Sequence, residues 1–338
     1  MINFQYARAT DVADAVRQIA ADPLGKFIAG GTNLIDLMKE DVERPSRLID
    51  ISRLPLNIVE ETADGGLRIG ALVPNSDLAY HPLIAQRYPI LASAILAGAS
   101  AQLRNMASTG GNLLQRTRCY YFYDIATPCN KRDPGSGCSA IAGLNRMHAI
   151  LGTSEACIAA HPSDMCVALA ALDAKVHVAG PAGARAIVFS DFHRLPGNTP
   201  ERDTNLEPNE IITAVELPAR GFAANYTYLK IRDRLSYAFA LVSVAAALEL
   251  EGDTIKEARL ALGSVAHKPW RDPAAEAALC GQAPSEATFA RATDFLLCDA
   301  KGFEHNAFKI DLARRAIVRA LKQAAAGTPQ SQSNKKIR

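Results

Sequence analysis

Four of the seven cysteines fall between residues 119 and 157, spaced Cys119-x9-Cys129-x8-Cys138-x18-Cys157. An odd total argues against a complete disulfide framework, and a chain of 338 residues can bury a core without one. The local density points to a metal or cluster site, or to a catalytic thiol. Four thiolates suit either tetrahedral zinc or an iron–sulfur cluster. The spacings match neither the paired cysteines of zinc ribbons nor the compact ferredoxin run, so they do not choose the metal, and unrelated buried cysteines are the bland alternative. Pro134, Gly135 and Gly137 let the chain wrap around a centre. His148 and His161 lie near enough to be alternative ligands. Cys166 sits in an apolar helical run and reads as packing, while the isolated Cys280 and Cys298 read as structural.

Two glycine pairs carry a second kind of chemistry. Ala29-Gly30-Gly31-Thr32-Asn33-Leu34 follows an apolar strand and opens a helix. Its glycines let the backbone approach a ligand, and free amides at a helix start attract phosphate. Ala107-Ser108-Thr109-Gly110-Gly111-Asn112-Leu113 repeats the pattern about eighty residues later. Each alone reads equally well as a tight turn. Together they favour a dinucleotide diphosphate held mainly by backbone amides. Neither is the Gly-x-Gly-x-x-Gly of a nicotinamide-type fold, and neither ends in the Lys-Ser/Thr of a P-loop.

The elements that must position these residues alternate between strand and helix up to about residue 114. Thr10 is placed to cap a helix with Val12, Ala15, Val16 and Ile19 on one face. Lys26–Ala29, Leu48–Ile51 and Leu67–Ala71 read as strands. Residues 115–163 read as a long loop too rich in cysteine and aromatics to be disordered. Lys175–Val178, Ala186–Phe189 and Ile211–Val215 read as further strands, with a boundary at Ala219-Arg220-Gly221. Two runs flanking Glu251-Gly252-Asp253-Thr254 read as a hairpin, followed by helices and a polar, frayed tail over residues 327–338. Lys+Arg 37 against Asp+Glu 35 leaves a net charge of +2, which gives no electrostatic footprint for nucleic acid. The longest uncharged stretch, Tyr88–Leu103, is too short and too polar for a membrane span, and Met1–Gln5 is not the start of a signal peptide.

Lys26–Leu34, Ala107–Leu114, Ser163-Asp164 and Tyr228-Leu229-Lys230 together resemble the FAD-binding subunits of the molybdenum hydroxylases, the family of xanthine dehydrogenase and the carbon monoxide dehydrogenase flavoprotein. The resemblance covers nearly the whole chain. It implies an α+β fold: a two-part FAD-binding domain of the PCMH type over residues 1–221, then a smaller carbon monoxide dehydrogenase flavoprotein-like α+β domain over residues 222–326. The cysteine stretch, inserted at about residues 115–163, departs from the common family pattern. Arg118-Cys119-Tyr120-Tyr121-Phe122-Tyr123, Cys129-Asn130-Lys131-Arg132 and Pro134-Gly135-Ser136-Gly137-Cys138 are similar to the branch with an extra [4Fe-4S] cluster. That branch includes hydroxybenzoyl-CoA reductase β subunits and the flavin subunits of periplasmic aldehyde oxidoreductases, the nearer likeness.

The resemblance implies individual roles. Lys26, Phe27, Ile28, Ala29, Gly30, Gly31, Thr32, Asn33 and Leu34 would wrap the FAD diphosphate, with Thr109 also in contact. Ser108, Gly111 and Asn112 match the family's second flavin loop. Asp164 would accept from a ribose or ribityl hydroxyl, Lys230 would place a cation near the flavin, and Asp124 would also reach FAD. Without the resemblance, Asp164 reads as a helix N-cap and Lys230 as a solvated strand residue. Cys119, Cys129, Cys138 and Cys157 would ligate the cluster. No residue for substrate oxidation is implied here. A large partner with a molybdenum cofactor would oxidise an aldehyde to a carboxylic acid, and a small partner with two [2Fe-2S] clusters would relay electrons. FAD would pass them to an external acceptor, in a heterotrimer. The nearer relatives are exported folded to the periplasm with a signal-bearing partner; a cytoplasmic enzyme is the alternative. A flavin-free zinc scaffold, a hydroxybenzoyl-CoA reductase-like subunit and a self-sufficient flavin oxidase are the competing readings.

Overall fold

The computed structural model describes residues 1–332. The chain begins with β1 (Gln5–Arg8), α1 (Val12–Ala20), β2 (Lys26–Ile28), α2 (Leu34–Lys39) and β3 (Arg47–Asp50). Its three strands form a parallel sheet ordered β1-β3-β2, in which Ile28 pairs with Asp50. Helix α1 buries Ala15, Val16 and Ile19 on this sheet. Its cap is Asp11, not Thr10: the Asp11 carboxylate accepts from the Asp14 amide at 2.8 Å. Thr10 lies one residue too early and gives its own amide to Asp14.

β4 (Val59–Glu61) and β5 (Leu67–Gly70) lead into short helices α3 (Asn75–Tyr80), α4 (Pro82–Arg87), α5 (Pro89–Ala97), α6 (Ala101–Met106) and α7 (Thr109–Leu113). The cysteine stretch contributes one helical turn, α8 (Tyr120–Tyr123). α9 (Asp164–Ala171), β6 (Lys175–Gly180), β7 (Gly183–Val188), α10 (Phe189–Phe192) and β8 (Ile211–Leu217) complete a five-stranded antiparallel sheet ordered β4-β5-β8-β6-β7.

The remainder comprises β9 (Asn225–Ile231), β10 (Val242–Glu251), β11 (Thr254–Gly263), β12 (Trp270–Arg271), α11 (Pro273–Ala277), α12 (Glu286–Leu296) and α13 (Phe308–Ala325). Its antiparallel sheet runs β12-β11-β10-β9, and the β10–β11 turn uses Gly252 at φ +58°. Residues Val242–Leu248 are buried without alternation because both faces are covered, by α13 on one side and by α9 and α5 on the other. Tyr228, Ala245 and Ala247 join the core of the preceding sheet, so the two parts pack through a shared apolar layer. The molecule thus mixes helix and sheet as the resemblance implied.

Two further expectations change. Cys280 and Cys298 are exposed and take no part in a core. The tail, expected to fray from residue 327, instead folds back on β9. Gln330 donates its amide to Thr227 Oγ1 and accepts from the Lys230 amide, both at 3.0 Å, and Gln332 donates to the Tyr228 carbonyl. Residues 333–338 of the expected tail lie outside the described residues. Among the described residues no helix is long and apolar enough to cross a membrane.

Candidate cofactor cavity and thiol pocket

The turn between β2 and α2 meets the residues before α7 at one point. A Cβ on Gly30 would stand 1.7 Å from the Met106 carbonyl oxygen, so only glycine permits this approach. Gly31 has φ +71°. Among the described residues the amides of Gly30, Gly31, Thr32 and Asn33 find no acceptor. These residues open on a cavity of about 850 Å³ that Lys26–Leu34, Ser108, Gly111, Asn112, Asp164 and Lys230 all line.

The second glycine pair works differently. Its amides are already used: Thr109 and Gly110 donate to Val73 and Ala71 at 3.0 and 2.7 Å, and Gly111 donates to Ser108 Oγ at 3.2 Å. The Thr109 hydroxyl also turns inward, to the Val73 carbonyl at 2.9 Å, and Thr109 does not line the cavity. This loop is a buttress for the first. Asn112 ties it to α9 by accepting from the Ser163 hydroxyl at 2.6 Å.

Ser163, not Asp164, caps α9. The Asp164 carboxylate accepts from Lys230 Nζ and from the Tyr228 hydroxyl, both at 2.7 Å, and Lys230 also donates to the Ala97 carbonyl at 3.1 Å. Both charged groups are buried, and their pairing offsets the desolvation cost. Burial and the Asp164 charge hold the Tyr228 phenol well above its ordinary pKa, so it remains a donor. Asp124 is exposed, accepts from the Ala126 amide and lies away from the cavity lining.

Two lining residues gave no signal in the sequence. Among the described residues the Asn75 side-chain oxygen is buried without a partner, and Asn75 lines the cavity. Arg116 lies between the cavity and the cysteine stretch. Its guanidinium pairs with Glu43 and Asp203, each at 2.7 Å, and Asp203 pairs with Lys131 at 2.5 Å. Burial alone would raise the Asp203 carboxyl, but Lys131 and Arg116 outweigh it and hold the group far below the usual carboxylate range.

Cys119, Cys129, Cys138 and Cys157 come together in one small pocket. Cys129 and Cys138 face each other across an isolated bridge, and Ser154 and Cys157 close a second. All four are free thiols, and three are buried. Burial pushes the Cys119 thiol up to about 12. The Cys157 thiol hydrogen-bonds to Cys138, which draws Cys138 down and pushes Cys157 up. Backbone donors nevertheless reach the sulfurs: the Ala159 amide donates to Cys157 Sγ at 3.4 Å. Such donors favour anionic sulfur, and a buried group of thiolates needs a metal centre to be stable. Zinc–sulfur bonds of about 2.3 Å would draw four sulfurs into a tight tetrahedron. Among the described residues no three of these sulfurs lie within 4.8 Å of one another.

The two flanking histidines separate. His148 Nε2 lies 3.1 Å from Cys119 Sγ. His161 instead meets Cys166 and His193, with ligand atoms within 4.8 Å. There His161 Nδ1 accepts from the Ser163 amide, and His193 Nε2 faces the Leu113 carbonyl at 2.9 Å. This trio pins the end of α7 to the start of α9.

Residues 2–220 match the family described as the FAD binding domain in molybdopterin dehydrogenase, and residues 226–324 match the CO dehydrogenase flavoprotein C-terminal domain. The chain is 52% identical over 324 residues to the aldehyde oxidoreductase FAD-binding subunit PaoB of Escherichia coli (strain K12), covering 96% of this chain and 98% of that one. It is 26% identical over 329 residues to the carbon monoxide dehydrogenase medium chain of Hydrogenophaga pseudoflava, covering 95% and 96%. A solved structure of the carbon monoxide dehydrogenase of Hydrogenophaga pseudoflava lacking the Mo-pyranopterin moiety of its molybdenum cofactor has a TM-score of 0.75, at 27% identity and 97% and 99% coverage. The glycine-lined cavity therefore lies in a known setting: the chain belongs to the FAD-binding medium subunits of the molybdenum hydroxylases, a family of oxidoreductases.

Proposed function

We propose that this subunit carries FAD and a [4Fe-4S] cluster within an aldehyde oxidoreductase that converts aldehydes to carboxylic acids. The observation that carries the reading is the pairing of a cavity lined by unpartnered amides with a four-thiol pocket, joined through Arg116, Asp203 and Lys131. Similarity over 96% of the chain to an aldehyde oxidoreductase FAD-binding subunit supports the substrate class.

When bound, FAD supplies the exchange between one- and two-electron transfer that such a chain needs. The protein's part is positional. The Gly30–Asn33 amides hold the diphosphate, and the Gly30–Met106 contact fixes the distance between the two loops. Asp164 keeps lone pairs free to accept from a sugar or ribityl hydroxyl while Lys230 and Tyr228 orient it. Lys230 adds a fixed cation to the cavity wall, which favours negative charge gathered there. Cys119, Cys129, Cys138 and Cys157 hold the cluster, with backbone amides stabilising the sulfurs.

In this reading the substrate is oxidised elsewhere, on a large partner carrying a molybdenum cofactor, and a small partner with two [2Fe-2S] clusters relays the electrons. The three subunits form a heterotrimer, and electrons leave this chain for an external acceptor. The complex is exported folded to the periplasm with a signal-bearing partner, and cell fractionation tests that placement.

The purified complex should release FAD on denaturation and contain about four irons in the cysteine site of this subunit, beyond those of its partner. This is measured on the subunit separated anaerobically after assembly. Colourless protein holding one zinc would overturn both cofactor assignments.

A further inference from the structure

We propose that His148 is a positioning residue that sets the reduction potential of the cysteine-bound centre by donating a hydrogen bond from Nε2 to the Cys119 sulfur. The inference rests on the reading of the four-thiol pocket as a [4Fe-4S] site. His148 is 2% exposed and its Nε2 stands 3.1 Å from Cys119 Sγ. A ligating thiolate has no proton to give, so the proton of this contact belongs to the imidazole. Among the described residues Nδ1 has no hydrogen-bond partner.

The backbone that carries the ring is clamped by its own turn and by a distant part of the chain. The His148 amide donates to the Asn145 carbonyl at 2.9 Å. Its own carbonyl accepts from Lys309 Nζ at 2.8 Å and from Asn306 Nδ2 at 3.3 Å. Lys309 is fully buried and also donates to the Ser264 carbonyl at 2.7 Å. The residues around the start of α13 thus hold the imidazole against the cysteine pocket. Tyr121, beside Cys119, backs the ring at 6.3 Å between centroids.

Reduction adds negative charge to the cluster and its sulfurs. A donor at a ligating sulfur is stronger in the reduced state and raises the potential. His148 therefore makes the centre easier to reduce without being one of its ligands.

The test uses the assembled complex and two substitutions. His148→Phe keeps an aromatic ring and removes the donor, while His148→Gln returns an N–H near the Nε2 position. His148→Phe should retain iron and FAD and shift the cluster's oxidised-to-reduced ratio about tenfold toward oxidised at a fixed potential, equivalent to about 59 mV for one electron. The readout is an EPR-monitored redox titration. His148→Gln should recover at least half of that shift. An unchanged potential in His148→Phe, or equal potentials in the two variants, would overturn the proposal. Loss of iron from His148→Phe alone would do so too, by making His148 a ligand. In the unsubstituted complex, ¹⁵N-histidine labelling should replace a ¹⁴N coupling in the reduced cluster's pulsed EPR spectrum with a ¹⁵N one, and the absence of that change counts against the contact even if a variant fails to assemble. An unsubstituted complex without iron overturns the cluster itself, which separates the two failures.

Discussion

Residues 29–33 and residues 119–159 both gather backbone amides, but to different ends. Along the first loop the amides of Gly30–Asn33 are left open over a cavity, and the loop's shape depends on the missing Cβ of Gly30. Along the second they turn toward sulfur, as the Ala159 amide does on Cys157, and the chain is closed on itself by contacts such as Arg132 to the Tyr121 and Phe122 carbonyls. One region is organised by main-chain clearance and the other by clustered side-chain thiols. They should therefore fail independently, except where the Arg116–Asp203–Lys131 ion pairs connect them.

The largest effects test that independence. Gly30→Val forces a Cβ into the Met106 carbonyl and should reduce FAD occupancy to under about a tenth of normal, with iron unchanged. Cys129→Ser should do the reverse, losing the iron and keeping FAD within about twofold. Flavin absorbance and iron content measured on the same samples check both; if either variant loses both cofactors, the contrast between the regions collapses.

Next comes the connection. Asp203→Asn leaves the buried Lys131 without its counter-charge and should destabilise the protein by about 3 kcal/mol, read from denaturant unfolding. That is the lower end for a buried pair, because Asp203 keeps some solvent exposure. Its pH dependence has a defined sign. The folded Asp203 pKa is depressed, so its stabilisation is complete above the unfolded value of about 3.9 and is lost as pH falls toward the folded one. The stability gap between the native protein and Asp203→Asn should stay constant from neutral pH to about pH 5 and narrow below about pH 4. The smallest effect sharpens the boundary of the flavin region: Asp124→Ala should change FAD affinity by less than about twofold, since the carboxylate is exposed and bonded only to its own turn. Fluorescence titration of flavin-stripped protein measures it.

Both regions are legible in the sequence because their chemistry resides in residue types that are close in the chain. Gly30-Gly31 after an apolar strand and four cysteines within one stretch need no tertiary information to be noticed. The reading could not say which amides stay free. Gly110 and Thr109 are spent on Ala71 and Val73, partners about 35–40 residues away that no local pattern identifies. The unpartnered oxygen of Asn75 and the ion pairs of Arg116 are likewise products of long-range packing. Strand β10 was legible as an apolar run, but uniform burial gives no alternation from which to assign its faces. Asp124 illustrates the converse. It sits between Cys119 and Cys129 in sequence, yet its side chain points to solvent.

The docked tail has a consequence beyond the cavity. Strand β9 is the border of its sheet, and a border strand offers unspent main-chain groups on which a neighbouring molecule can template itself. Gln330 and Gln332 occupy that border at Thr227, Tyr228 and Lys230. The segment therefore acts as a guard against self-association. Trimming it would bare the rim beside Lys230 and invite aggregation before any cofactor is lost.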